Sequence, residues 1–160
     1  MRLAVDTNIL FSALLGGRIS RVFARAVVNL ELHTTSTTVE ELRRHMDRIT
    51  RYSALSAETL RTALNEILTE DVVVHDTAEI PEVVKERAKR LVAGVDPDDW
   101  PFVALAMFLG VPLWTGDKAL IRRGLETGEY IAVDTDGVEM LLNGAGLERV
   151  LERMRGRYLG

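Results

Sequence analysis

Short apolar segments alternate with amphipathic segments along most of the chain, and this alternation most constrains the fold. The apolar segments RLAV, LELHTT, DVVVHD, VPLWT and YIAVDT have the length and composition of strands, and a helical pattern follows each one. Strands separated by helices favour a parallel sheet, because a parallel connection must cross over the sheet. The sequence therefore predicts an α/β fold: a single three-layer domain with a central, mostly parallel sheet flanked by helices.

The helices are marked by apolar residues three and four positions apart and by capping residues. A first helix begins at NILFSALL, is interrupted by Gly16 and Gly17, and resumes in ISRVFARAVVNL. A single helix is predicted over VEELRRHMDRITRY, and Ser56 is the expected N-cap of the next one. The last helix is expected from about Leu147. No repeat, low-complexity tract or linker interrupts the pattern, so residues 1–160 are predicted to form one domain.

Composition excludes several classes of protein. Apolar residues make up 47% of the 160 residues, which indicates a globular chain with a proper core. No apolar run could span a bilayer, and Asp6 interrupts the one candidate for a secretory leader, so a cytoplasmic protein without a membrane partner is expected. The absence of cysteine excludes disulfides and thiolate chemistry. A net charge of −4 argues against a general nucleic-acid coat protein.

Acidic residues stand near several predicted strand ends and helix starts. They are Asp6 after LAV, Glu41 in the helix after LELHTT, the cluster Asp96, Asp98 and Asp99 before WPFVALA, and Asp117 after VPLWTG. Ligands of open α/β sheets gather at the carboxyl ends of the strands. We therefore expect these acids to converge on one edge of the sheet.

Each acid taken singly also has an ordinary explanation as a helix cap, a first-turn residue or a turn residue. Together they are harder to explain in that way, because two carboxylates about 5 Å apart repel by about 3 kcal/mol at an effective dielectric constant near 20. A cluster of such groups requires protonation or a cation. Oxygen ligands in this number suit Mg²⁺ or Mn²⁺.

The ordered segments AVDTNIL, TTVEEL, DPDDWPFVALA and PLWTGDKAL resemble the PIN-domain family of metal-dependent ribonucleases, which includes the VapC-type toxins of toxin–antitoxin pairs. The resemblance covers about residues 1–136 and leaves 137–160 as a C-terminal helical extension. It implies a set of metal-binding and catalytic residues: Asp6, Glu41, Asp99 and Asp117. Asn8 and Thr115 match positions that support the site. Asp96 is a rival or additional ligand, and Glu40 is a rival of Glu41.

The resemblance implies hydrolysis of an RNA phosphodiester by water activated at one or two Mg²⁺ or Mn²⁺ ions, leaving 5′-phosphate and 3′-hydroxyl ends. It also implies a homodimer and, for a toxin, a small antitoxin partner. The cationic side chains considered for RNA phosphates are Arg44, Arg48 and Arg51, which share a predicted helical face, and Lys118, Arg122 and Arg123. Trp100 and Trp114 are considered for stacking on bases or for core packing. The histidines His33, His45 and His75 are expected to be structural or exposed.

Four other interpretations stay open at this point. A haloacid-dehalogenase phosphatase needs an acid two residues after Asp6, where this chain has Asn8. A receiver domain needs an acidic pair after the first strand, where Asp6 stands alone. The third interpretation is an RNA-processing nuclease without an antitoxin, and the fourth is a catalytically silent PIN-fold binding scaffold.

Overall fold

A computed structural model describes residues 1–160 and contains one sheet of five parallel strands. The strands are β1 (Arg2–Val5), β2 (Glu31–Thr35), β3 (Val72–His75), β4 (Leu113–Trp114) and β5 (Ala132–Val133). Their order across the sheet is β3-β2-β1-β4-β5, so the first strand lies at the centre. The carboxyl ends of β1, β2 and β4 are consequently neighbours.

Helices connect the strands and flank the sheet, as the alternating pattern predicts. They are α1 (Thr7–Leu15), α2 (Arg18–Asn29), α3 (Ser36–Arg44), α4 (Met46–Arg51), α5 (Ala57–Glu66), α6 (Glu82–Val92), α7 (Trp100–Leu109), α8 (Lys118–Thr127), α9 (Thr135–Leu142) and α10 (Leu147–Tyr158). A π-helical turn, Ile67–Asp71, leads into β3, and 3-10 turns form at Thr77–Glu79 and Pro97–Asp99. None of the helices has both the length and the apolarity that crossing a bilayer requires.

The core lies on both sides of the central strands. Leu3, Ala4 and Val5 of β1 are completely buried, which matches an apolar strand at the middle of a covered parallel sheet. On one face, the ring of Phe23 from α2 stacks against Trp114 of β4 with their centroids 6.3 Å apart. Helix α7 contacts β1, β2 and β4 and is apolar nearly all round, as a buried helix should be.

Most of the predicted helix boundaries are confirmed. Gly16 and Gly17 separate α1 from α2 with φ angles of 83° and 92°, a region that favours glycine. The Ser56 hydroxyl caps α5 by accepting a hydrogen bond from the Thr59 N–H at 3.1 Å. Helix α10 begins at Leu147, as predicted.

The single helix predicted over VEELRRHMDRITRY is wrong, because the structure contains two helices there. Helix α3 ends at Arg44, His45 has φ −96° and ψ 8°, and α4 begins at Met46. The apolar spacing from Leu42 to Met46 and Ile49 passes through the break, and all three side chains are buried. Periodicity alone therefore does not reveal the turn at His45.

Candidate active site

Asp6 follows β1 directly and is 2% exposed. Its Oδ1 atom accepts a hydrogen bond from the Ile9 N–H at 2.8 Å, so the residue is the N-cap of α1. Its Oδ2 atom accepts a hydrogen bond from the Thr115 hydroxyl. Asp6 is therefore a helix cap, which is one of the ordinary explanations given above. It is also hydrogen-bonded to Thr115, the residue that follows the neighbouring strand β4.

Thr115 and Asp117 follow β4, the strand beside β1. The Thr115 hydroxyl is completely buried, donates to Asp6, and accepts a hydrogen bond from the Asp117 N–H at 3.1 Å. The Oδ1 atom of Asp117 caps α8 by accepting from the N–H groups of Ala119 and Leu120 at 2.8 and 3.1 Å. This turn places the Asp117 carboxylate on the same edge of the sheet as Asp6.

Glu41 lies in α3, the helix that follows β2. Its Oε2 atom accepts a hydrogen bond from the Thr7 hydroxyl at 3.1 Å, so the side chain turns toward the start of α1. Glu40 is exposed and lies on another side of α3, since adjacent helical residues point about 100° apart. Of the two rivals, Glu41 is therefore the one directed at Asp6 and its neighbours. The contribution of Thr7 was missed in the sequence.

Asp99 lies at the N-cap position of α7, after the 3-10 turn Pro97–Asp99. Burial raises the pKa of its carboxyl group to about 7, and the negative charges of four other acids act in the same direction. In decreasing order of effect, these are Asp96, Asp117, Asp6 and Glu41. The other three predicted acids and Asp96 therefore lie close enough to Asp99 for their charges to act on its carboxyl group. We call these five residues the acid cluster.

Asp6 carries a second perturbed carboxyl group in the acid cluster. Burial raises its pKa from the usual 3.8 to about 6, hydrogen bonds from Thr115, Ile9 and Asn8 oppose that rise, and the charge of Asp117 adds to it. Asn8 acts through its backbone N–H, whereas the residue itself is exposed. In this structure the contact between Asn8 and Asp6 is therefore made by the Asn8 backbone N–H.

The acid cluster suits a hard divalent cation by its chemistry. All five side chains offer carboxylate oxygens, the ligands that Mg²⁺ and Mn²⁺ prefer. In their present rotamers no three Asp, Glu or His side chains form a set close enough to hold a metal ion. Ligation by three or more of these acids therefore requires some side-chain rotation.

The predicted basic residues lie on three helices, α3, α4 and α8. The break at His45 removes the continuous helical face proposed for Arg44, Arg48 and Arg51, so that part of the prediction is wrong. Arg44 ends α3 and borders a cavity that Glu41 also lines. Lys118 is exposed at the start of α8, whereas Arg122 donates through Nε to the Tyr158 carbonyl oxygen at 3.2 Å.

The two tryptophans have different environments. Trp114 is completely buried in the core, and its indole N–H donates to the Thr135 hydroxyl at 3.2 Å, which excludes base stacking. Trp100 is half-buried at the start of α7 and borders the same cavity as Arg44 and Glu41. Only Trp100 is therefore placed to meet a ligand.

The histidines lie outside the acid cluster. His33 and His75 form a stacked pair on β2 and β3, with His33 Nδ1 2.7 Å from His75 Nε2. His33 Nε2 lies 2.6 Å from a carboxylate oxygen of Glu31. His45 is exposed and borders the cavity beside Glu41.

Asp134 is another acid at the carboxyl edge of the sheet and was missed in the sequence. It follows β5 in the segment AVDT, which repeats the AVDT that contains Asp6. Its Oδ1 atom caps α9, while its Oδ2 atom accepts hydrogen bonds from Arg157 at 3.0 Å and from the Tyr158 hydroxyl at 2.8 Å. Unlike Asp6, this carboxylate is neutralised by residues of α10.

A parallel α/β sheet with clustered carboxylates at its carboxyl edge defines the class of site. The family model of the PIN domain matches residues 4–154, and the chain belongs to the PIN-domain family. This confirms the resemblance carried by the sequence motifs. The match takes in α9 and most of α10, although those motifs end at about residue 136.

Among solved structures, the chain is similar to one in the crystal structure of VapBC2 from Rickettsia felis bound to a DNA fragment from their promoter. The TM-score is 0.64 at 13% sequence identity, and the similarity covers 84% of this chain and 98% of that chain. At this identity the likeness concerns the fold alone. No curated protein sequence matches the chain significantly.

Proposed function

We propose that the chain is a metal-dependent endoribonuclease that hydrolyses RNA phosphodiester bonds. The observation that supports this most strongly is the convergence of Asp96, Asp117, Asp6 and Glu41 on Asp99, whose pKa their charges raise. Membership of the PIN-domain family supports the same reaction class. A merely structural set of caps would not need to collect five carboxylates at one place.

Asp6, Glu41, Asp99 and Asp117 are the residues that would hold one or two Mg²⁺ or Mn²⁺ ions, with Asp96 as an additional ligand. Such an ion, when bound, polarises the phosphate and lowers the pKa of water. Hydrogen bonds from Ile9, Thr115 and Asn8 hold the Asp6 carboxylate in place at the end of β1. Caps and the Thr7 hydroxyl orient Asp117 and Glu41.

Substitution of the acids tests the proposed reaction. We expect Asp6→Asn and Asp99→Asn to lower Mg²⁺- or Mn²⁺-dependent cleavage of RNA by more than about 100-fold, since even second-shell partners of metal ligands are worth about 10- to 100-fold. Glu41→Gln should act in the same direction. Its matched control is Glu40→Gln, because Glu40 is exposed on the same helix and points elsewhere.

Calorimetric titration with Mn²⁺ separates an enzyme from a silent scaffold. We expect uptake of the ion by the wild-type chain and its loss in Asp99→Asn. Cleavage that persists in both Asp6→Asn and Asp99→Asn would contradict the assignment of the site. A chain that neither takes up Mn²⁺ nor cuts RNA would instead be a binding scaffold.

We further propose that the chain is the toxin of a toxin–antitoxin pair and acts as a homodimer. The similarity of its fold to a chain of the VapBC2 complex supports this role. Induced expression of the wild-type chain should arrest growth, Asp6→Asn should not, and co-expression of a short protein encoded beside it should restore growth. Nuclease activity without growth arrest would favour an RNA-processing role. Light scattering after size-exclusion chromatography tests the dimer.

A further inference from the structure

A cavity of about 360 Å³ opens directly beside the acid cluster. Its wall includes Thr37, Glu41, Arg44, His45, Asp98 and Trp100. Glu41 belongs both to this wall and to the acid cluster, and Asp98 immediately precedes Asp99. A group bound in the cavity would therefore lie next to a phosphate held at the acids.

Trp100 provides an aromatic surface in this cavity. It is half-buried, and its ring is held by Lys89, whose Nζ lies 4.8 Å from the ring centroid. Trp100 lines the cavity, whereas Lys89 does not. The cavity therefore has an aromatic residue in its wall beside Glu41 and Arg44.

The remaining wall is polar and carries one arginine. Arg44 is exposed at the C-terminus of α3, where its guanidinium can reach a phosphate without being committed to an internal ion pair. His45 and Asp98 offer a hydrogen-bond donor and an acceptor near the ring. An aromatic ring, a cation and polar edges are the elements with which proteins bind single nucleotides of an unpaired strand.

We propose that this cavity holds the base of an unpaired nucleotide adjacent to the scissile phosphate, with the base on Trp100 and a neighbouring phosphate on Arg44. The proposal rests on the nuclease function and adds to it a nucleotide-binding subsite formed by Trp100 and Arg44. A paired base cannot enter the cavity without leaving its stack, so duplex RNA is a poor substrate. Because every base has a stacking face, the Trp100 contact favours unpaired bases of any sequence.

Cleavage kinetics on single-stranded RNA test the stacking residue. We expect Trp100→Ala to raise KM about tenfold with a smaller change in kcat, and Trp100→Phe to restore most of the loss, because stacking on one base contributes roughly that much to binding. The matched control is Phe108→Ala, since Phe108 is 45% exposed at the other end of α7, about 12 Å along the helix. An unchanged KM in a folded Trp100→Ala would overturn the proposal.

Arg44 has a neighbour that serves as its control. Arg44→Ala should weaken RNA binding. It should also reduce the slope of log K against the logarithm of the salt concentration by the amount expected for about one phosphate contact. Arg43→Ala should change neither, because Arg43 points away from the cavity that Arg44 borders. Equal effects of the two substitutions would contradict an assigned contact for Arg44. The Arg44→Ala variant also keeps the proposal testable if Trp100→Ala does not fold.

Intrinsic fluorescence measures the same contact without any turnover. Trp100 and the core residue Trp114 are the two tryptophans of the chain. In the Asp6→Asn background with Mg²⁺, a 12-nucleotide single-stranded RNA should quench the Trp100 emission, and the same sequence as a duplex should not. Absence of quenching overturns the base site. If RNA quenches the fluorescence of the wild-type chain but is not cut by it, the base site is supported and the nuclease function is contradicted.

Discussion

The Thr115 hydroxyl joins Asp6 and Asp117, two acids that lie 111 positions apart in the sequence numbering. It donates to Oδ2 of Asp6 and accepts the N–H of Asp117 at 3.1 Å. One buried side chain thus links the carboxylate of Asp6 to the backbone of Asp117, and these two residues follow neighbouring strands. The geometry of the acid cluster consequently depends on a residue that carries no charge.

Thr115→Val removes this hydroxyl at nearly constant volume. The hydrogen bond from Thr115 lowers the pKa of Asp6, so its loss should raise that pKa further above 6. We expect the acidic limb of the pH–activity profile to move to higher pH and the free energy of unfolding to fall by about 1–3 kcal/mol, because two buried polar groups lose a partner. Thr115→Ser should keep the wild-type profile. A Val variant with an unchanged profile would show that the hydroxyl has no such role.

The metal-free chain should lose stability as the pH rises from about 4 to about 7. Asp6 and Asp99 have folded-state pKa values of about 6 and about 7, above their unfolded value of 3.8. Their contribution to stability is therefore complete below about pH 4 and is lost as the pH rises through 6 and 7. For Asp6 the shift corresponds to about 3 kcal/mol at 1.36 kcal/mol per pKa unit.

Urea unfolding in EDTA at several pH values measures this dependence. Asp6→Asn should flatten the decline and make the metal-free chain more stable than wild type at pH 8, since Asn still caps a helix well. Saturating Mg²⁺ or Mn²⁺ should restore wild-type stability at pH 8 by binding the folded state. Parallel pH profiles for wild type and Asp6→Asn would contradict the role given to this carboxyl group.

Thr7→Val tests whether the Thr7 hydroxyl positions Glu41. The hydroxyl donates to Glu41 Oε2 at 3.1 Å. We expect metal affinity to fall by about 10-fold or more, as for other residues that orient metal ligands, and global stability to change little. Thr7→Ser should restore binding of Mn²⁺ in a calorimetric titration. If Thr7→Val and the wild type bound Mn²⁺ with equal affinity, the Thr7 hydroxyl would have no role in positioning Glu41.

The strands and their parallel sheet could be predicted from the sequence because each strand is a local signal, whereas the order of the strands was not predicted. Buried strands such as β1 read as apolar runs, and the helices between them read as periodic patterns. The turn at His45 could not be predicted, since the apolar spacing continues through it. Local patterns specify elements better than they specify the angles between consecutive helices.

The candidate acids could be selected in the same way, because Asp6 and Asp117 follow strands, Asp99 precedes a helix and Glu41 lies in the helix after β2. Their hydrogen-bond partners could not, since the Thr7–Glu41 and Thr115–Asp6 contacts join residues far apart in the chain. Asp134 shows the limit most clearly. Its AVDT segment equals that of Asp6, yet it contacts Arg157 and Tyr158, two partners that the local sequence does not reveal.

Helix α10 should be an integral part of the domain rather than a detachable extension. Its Met154 side chain is 1% exposed in the core, and Tyr158 donates to Asp134 at 2.8 Å. Met154→Ala should therefore lower the free energy of unfolding by about 2–5 kcal/mol, and Met154→Leu by less than about 1.5 kcal/mol. Arg155→Ala, on the exposed side of the same helix, should stay within about 0.5 kcal/mol of wild type. Urea unfolding measures all three, and a Met154→Ala variant as stable as Arg155→Ala would show that α10 packs only loosely on the domain.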